Sequence, residues 1–271
     1  MKKAGSVVAL FLLLGNDAAL GRGVSPYLPL NLEPEIERQI ERALILADKP
    51  VLTRPIAAAT VFDALPAACQ VDIVLCRQIR RFLDRYMHSS GIMYASAEGA
   101  VTGGTGRPIP NRHGMSTESD WQVATSLFLQ PSDYAIVSLG GVAYQGETIP
   151  TGSMLSVGFD RAQLDIGYRG HWLSPLLDSS MLLGTEAQTM PSITLSNYVP
   201  LTRLGLRYEA FVARMSRSDS IAFQNGFTSG HPKIAGLHLS IEPVSGWALG
   251  VNRLMQYGGG ARGGNSIGDV L

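Results

Sequence analysis

WQVATSLFLQPSDYAIVSLGGVAY, residues Trp121 to Tyr144, decides how the rest of this 271-residue chain is read. Trp121, Val123, Thr125, Leu127 and Leu129 fall on one side of its first half, and Gln122, Ala124, Ser126 and Phe128 on the other. Successive side chains of a strand point to opposite faces, so a period of two marks a strand with two different surroundings. Pro131-Ser132-Asp133 then supplies a tight turn, and a second apolar-rich stretch follows at once.

The alternation recurs downstream. Leu155, Val157 and Phe159 oppose Ser156 and Gly158, and Leu164, Ile166 and Tyr168 oppose Asp165, Gly167 and Arg169. Leu204, Leu206, Tyr208, Ala210 and Val212 oppose Arg203, Arg207 and Glu209, while Leu237, Leu239 and Ile241 oppose His238, Ser240 and Glu242. Nine strands are expected, near 91–101, 119–130, 134–144, 152–159, 162–170, 191–198, 202–214, 234–242 and 247–256. A soluble sandwich would alternate in the same way, because it too buries one face of each strand. The connections favour another architecture. They are long at 102–118, 171–190 and 215–233, medium at 145–151, and short at 131–133, 160–161, 199–201 and 243–246. Long loops on one rim and tight turns on the other are the layout of an outer-membrane barrel. Tyr134 and Tyr144, ten residues apart, would span roughly 25 Å of tilted strand and occupy aromatic girdles at both interfaces. Glu98, Asp165, Arg169, Arg203, Arg207, Glu209, His238 and Glu242 are then expected in the lumen, as a filling ion-pair lattice or as the lining of a hydrated channel.

Upstream of the strands the pattern changes. Lys2-Lys3, the apolar run Val7 to Leu14 and the small-residue site Ala19-Leu20-Gly21 read as an export signal over residues 1–21. No later stretch reaches the roughly 18 consecutive apolar residues of a membrane helix. In an oxidising compartment Cys69 and Cys76, the only two cysteines, are expected to form a local disulfide. No metal or cofactor is expected, since no His stands near either thiol. Between Asn31 and Met87 the apolar period is helical. Ile36, Ile40, Leu44 and Ala47 make one stripe between Pro34 and Pro50; a second short helix is expected from Pro55 to about Leu65; a third follows Asp72 as N-cap, burying Leu75, Ile79, Phe82 and Tyr86. Residues 22–90 thus read as a small periplasmic helical bundle, and 91–271 as the N-terminal half of a barrel.

Lys+Arg 22 offset Asp+Glu 22, so no basic field points to nucleic acid. Gly258 to Gly263 satisfies a dinucleotide-binding spacing, but no helix signal follows it, and a rim loop is the expected reading. His171, Ser174, Asp178 and Ser180 could be arranged into a nucleophile, a base and an orienter. Their order matches no nucleophile elbow, and no enzyme is expected. Trp172 beside His171 could stack on a sugar face, as could Trp247 or Tyr257, with girdle anchoring the alternative for Trp247. His171, Trp172, Asp178 and Tyr257 are the rim and loop binding candidates.

Three segments carry a resemblance: HWLSPLLDSSMLLGTEAQTMPSITLSN from His171, PSDYAIVSLGGVAYQGETIPTGSMLSVGFD from Pro131, and LSIEPVSGWALGVNRLMQYGGG from Leu239. Together they resemble the Wzi family of capsule assembly proteins, with Trp172, Ser174-Pro175, Asp178-Ser179-Ser180 and Met190-Pro191 in that family's order. The resemblance implies an outer-membrane barrel of about eighteen strands with a periplasmic helical bundle, acting as a lectin that holds capsular polysaccharide at the cell surface as a monomeric barrel in outer-membrane lipid. A porin-like channel for small solutes is the alternative. Gln188 departs from the proline or arginine common in the family. Nine strands are half of such a barrel, so a truncated product is expected, since open edges in lipid leave costly unpaired backbone groups. Segment 171–190, after the fifth strand, is expected outside the cell. Trp172 and Leu173 would extend the strand past the interface, Pro175 would end its pairing, and Leu182-Leu183 would fold over the lumen mouth.

Overall fold

The computed structural model describes residues 23–264 apart from 31, 100, 102–108, 111–115, 118, 178, 181, 185 and 186. The export signal expected at 1–21 lies outside the described residues.

Nine main strands form an antiparallel sheet: β1 (Ser90–Gly99), β2 (Trp121–Ser132), β3 (Ala135–Tyr144), β4 (Met154–Phe159), β5 (Ala162–Gly167), β6 (Ser192–Ser196), β7 (Arg207–Arg214), β8 (Lys233–Val244) and β9 (Trp247–Tyr257). Each pairs with its neighbours in sequence, from β1 at one edge to β9 at the other. The sheet is half of the layout expected and is not closed: among the described residues β1 and β9 do not pair. A short strand, Glu147–Ile149, extends the pairing beside the end of β3. Tight connections follow β2, β4 and β8, and long ones follow β1, β5 and β7; the β6–β7 connection runs over 197–206, longer than the three-residue turn expected at 199–201. At the β4–β5 turn Gly158 has φ +123°, and a Cβ there would lie 2.2 Å from the Ala162 carbonyl oxygen, so only glycine fits.

The strand expected from residue 202 begins instead at Arg207. Residues 199–206 form a turn, with Leu201 N–H donating to Leu206 O at 2.9 Å and Gly205 N–H to Thr202 O at 3.0 Å, and Arg203 is exposed on it. Arg203 therefore lies off the polar face on which it was expected. The 215–233 connection contains a hairpin that alternation did not reveal, Ser218–Phe223 with Gly226–Gly230. Its Ile221 is buried against the turn at Gly259.

Burial divides the two faces of the sheet. Leu127, Leu129, Leu155, Ile166, Ile193, Leu237, Leu239, Leu249 and Val251 are exposed on one. Ser138, Ser156, Gln163, Asp165, Ser192, Thr194, Ser196, Glu209, His238 and Ser240 are buried on the other. Exposed apolar and buried polar invert the arrangement of a soluble domain. Tyr144 overturns its expected girdle role. It pairs with Gln122 and is buried, so it shares the covered face, whereas Tyr134 is exposed at the turn.

The covered face is filled by the N-terminal region. Helices α1 (Pro34–Leu46), α2 (Ala58–Val71) and α3 (Ile73–Leu83), with a 3₁₀ turn at Asp84–Met87, form the expected bundle. The second helix runs past its expected end and contains Pro66, because Val61, Ala64, Leu65 and Ala68 continue one buried stripe. Asp72 caps α3, its Oδ1 accepting from Leu75 N–H at 3.0 Å. Cys69 and Cys76 form the expected disulfide, Cα–Cα 5.0 Å, across that corner. The bundle core includes Met93 of β1, Phe128 of β2 and Ile136 of β3, so the helices rest on the sheet.

Candidate functional site

Parity and register assemble the central patch of the covered face. Gln163 and Asp165 of β5 pair with Ser196 and Thr194 of β6, and Glu209 of β7 pairs with Ser196 on one side and His238 of β8 on the other. Even spacing along each strand sends these side chains to the same face. Arg169 and His171, just beyond β5, complete the group.

Arg169 Nη2 donates to Glu209 Oε2 at 2.9 Å, its Nε lies 3.5 Å from Asp165 Oδ2, and its guanidinium sits 4.6 Å over the Tyr27 ring. His171 Nδ1 is 3.0 Å from Glu209 Oε1, and its Nε2 is 3.2 Å from Ser192 Oγ. The imidazole stacks on Phe211 with centroids 3.8 Å apart. Asp165, Arg169, Glu209 and His238 are all buried, as the expected lattice requires. Charges withdrawn from water are tolerated when paired and hydrogen-bonded. Farther along, Arg207 Nη1 donates to Pro50 O at 3.4 Å, its Nη2 lying 4.0 Å from Glu242 Oε2. Glu98, near the end of β1, is exposed.

Sequence reasoning missed the segments that close this patch. Tyr27 Oη donates to Asp165 Oδ2 at 2.8 Å. Ser25 N–H donates to Gln163 Oε1 at 3.0 Å, and Gln163 Nε2 returns a bond to Ser25 O at 3.3 Å. Residues 26–28 and 56–58 pair with each other, Leu28 N–H to Ile56 O at 2.8 Å and Ala58 N–H to Pro26 O at 2.9 Å. Arg54 exchanges two backbone bonds with Trp172, at 2.8 and 3.0 Å. Its guanidinium pairs with Glu41 of α1 and reaches the carbonyls of Ser174 and Pro175. Burial pushes the Tyr27 phenol well above its usual range, the Arg169 charge opposing. Gln163 shares the face of Asp165 by parity and could have been found; Tyr27 and Arg54 lie in stretches without periodicity.

The binding candidates are dispersed. His171 is enclosed in the lattice, its side chain 2% exposed. Trp172 is buried, its Nε1 donating to Leu176 O at 2.7 Å; it pairs with Arg54 rather than extending β5. Tyr257 is buried at the end of β9. Asp178 lies outside the described residues. Ser174 Oγ accepts from Leu176 N–H at 3.1 Å and serves a turn. Leu183 is buried with Leu173, Met190, Phe211, Ala213 and Ile234, so the 171–190 loop folds over the polar face; Leu182 stays exposed. Ser192, His171 and Glu209 stand in the order of a nucleophile, base and orienter. Ser192 Oγ is also 3.3 Å from Gly167 O, and Arg169 holds the other carboxylate oxygen of Glu209. Buried and saturated in this way, the three brace the loop.

A sequence profile described as Capsule assembly protein Wzi matches residues 147–271. Over those residues, a little under half of the chain, the sequence is similar to the Wzi family of capsule assembly proteins. The fold agrees: it is similar to the solved structure of Wzi, described as an outer-membrane protein involved in group 1 capsule assembly in Escherichia coli and a carbohydrate-binding β-barrel, with TM-score 0.64 and 18% identity. That alignment covers 90% of this chain and 55% of the other, so the chain spans about half the length of the barrel it matches. No curated protein matches the sequence.

Proposed function

We propose that this chain forms part of an outer-membrane protein of capsule assembly that binds capsular polysaccharide and attaches it to the cell surface, with its helical bundle entering the inner face from the periplasmic rim, α1 reaching the 171–190 loop through Arg54, and its long loops outside. The inverted burial supports the membrane. Lipid would cover the exposed leucines, isoleucines and valines of the outer face, and strands are the only alternative to helices for crossing it. The observation that carries a binder over a channel is the filled inner face: residues 23–30 and 48–58 lie on it, and ion pairs occupy its centre. A polymer held by such a protein stays at the long-loop rim. The protein is a monomeric barrel in this reading.

Planar-bilayer conductance and capsule retention test the two readings together. The expected result is little steady current together with capture of capsular polysaccharide from cell extract by the immobilised protein. Large open-channel currents without capture would establish the porin-like alternative.

A further inference from the structure

We propose that the space under the 171–190 loop, walled by Arg169, is a pocket for a single uncharged sugar unit, an inference that rests on the carbohydrate-binding reading. Two cavities share Leu30, Arg169, Gly170 and Thr189 in their walls. One, of about 90 Å³, extends toward Tyr94, Ala124 and Val142. The other, of about 40 Å³, leads up to Gly184, Ala187 and Gln188, which are exposed on the loop. At roughly 10–15 Å³ per water-sized group, the larger holds about six to nine such groups and the smaller about three to four. The larger has room for one sugar ring and neither has room for a chain, so an end unit is the fitting guest.

Arg169 supplies the recognition. Its residue is 3% exposed; Nη2 hydrogen-bonds Glu209 and Nε faces Asp165 Oδ2 at 3.5 Å, yet Nη1 has no hydrogen-bond partner among the described residues. A buried charged donor without an acceptor needs a guest or water. The Thr151 hydroxyl, buried and without a hydrogen-bond partner among the described residues, lines the larger cavity as well. Charge then decides what kind of guest. Arg169 already faces two carboxylates, Asp165 and Glu209, so an anionic sugar would bring a third negative group into a buried site. Neutral hydroxyl and ring oxygens satisfy the donors without that repulsion, and the apolar walls of Leu30, Met154 and Val142 suit the C–H face of a ring.

Trp172 lines the smaller cavity and offers a reporter. Of the three tryptophans, Trp121 and Trp247 are exposed on the outer face, and replacing both by Phe isolates Trp172 emission. The protein in detergent micelles is titrated with methyl glucoside, galactoside and mannoside and with methyl glucuronide. A saturable change is expected with at least one neutral glycoside, and the glucuronide should bind about tenfold more weakly or worse. Arg169→Lys, which keeps the charge but loses the fork, should weaken the response about tenfold, the loss expected when a hydrogen bond to a charged group is removed, and Thr189→Leu, which fills the shared wall, should weaken it at least as much by excluding the guest. If Arg169→Lys fails to fold, Thr189→Leu decides. No saturable change with any neutral glycoside, or an unchanged response in folded Thr189→Leu, means the cavity holds water only and overturns the pocket. Capsule capture by the same preparations separates the two readings: capture without a Trp172 response removes the pocket and keeps the attachment function, while a response without capture does the reverse.

Discussion

Replacing Arg54 with Met should open the contact between the N-terminal region and the 171–190 loop while leaving the sheet intact. Arg54 ties three elements: its backbone pairs with Trp172, and its guanidinium joins Glu41 of α1 to the Ser174 and Pro175 carbonyls. The side chains of Arg54 and Glu41 are 7% and 28% exposed. Removing one member of a fully buried pair costs about 3–5 kcal/mol, but Glu41 can partly rehydrate, and Met still covers the apolar path of the stem. The carbonyl bonds, at 3.3 and 3.4 Å, are long and add little. The net cost is about 2–3 kcal/mol of local stability, or roughly a 30- to 150-fold larger open population. Amide hydrogen exchange reads this directly, because the Arg54 and Trp172 amides bond each other's carbonyls. Both should exchange about 30- to 150-fold faster in the variant, and amides of β2 and β3 should keep their rates. Unchanged exchange at Trp172 would refute the latch; a uniform rise across the sheet would show that Arg54 supports global stability instead.

Glu209→Ala should lower unfolding stability by about 3–5 kcal/mol, because it leaves Arg169 buried beside Asp165 alone and removes the carboxylate facing His171; a denaturant midpoint equal to wild type would contradict this. Reducing the Cys69–Cys76 bond, which closes a loop of sequence separation 7, should cost the helical bundle about 2–3 kcal/mol on the chain-entropy account, visible as faster exchange in α2 and α3 but not in the strands. Tyr27 sets an alkaline limit. Its phenol titrates above the unfolded value of about 10 because burial favours the neutral form, so its contribution is complete below about pH 10 and fades as pH rises through the native value. Stability measured from pH 8 to 12 should therefore fall at the alkaline end, and Tyr27→Phe should flatten that fall while lowering stability at neutral pH; an identical alkaline slope in the variant would assign the loss elsewhere.

Alternation was legible wherever large side chains occupied one parity. Leu127 against Phe128, Ile166 against Asp165 and Leu239 against His238 each set a strand's facing without reference to a partner, and Asp165, Arg169, Glu209 and His238 could be assigned to the polar face on that basis. The parity of β3 was not legible, because Ala135, Val137 and Leu139 and then Ile136, Val142 and Tyr144 put apolar groups on both sides. Its register against β2 settles the matter, placing Tyr144 opposite Gln122. The same limit explains the binding candidates. His171 and Trp172 read as rim residues since they follow a strand and precede a long loop, but the residues covering them, Phe211 and Arg54, come from distant parts of the chain. Period two records which way a side chain points, and it does not record what is laid over it. A lone polar stripe on nine strands is equally compatible with a wet channel and a filled interior, and here the choice is made by residues 23–30 and 48–58, where no periodicity exists to be read. Tyr27, Ser25 and Arg54 act through a phenol, a backbone amide and a guanidinium on partners more than a hundred residues away. Closure of the polar face is thus a long-range property, which is why substitutions in these unpatterned segments should change access to the interior more than substitutions in the strands themselves.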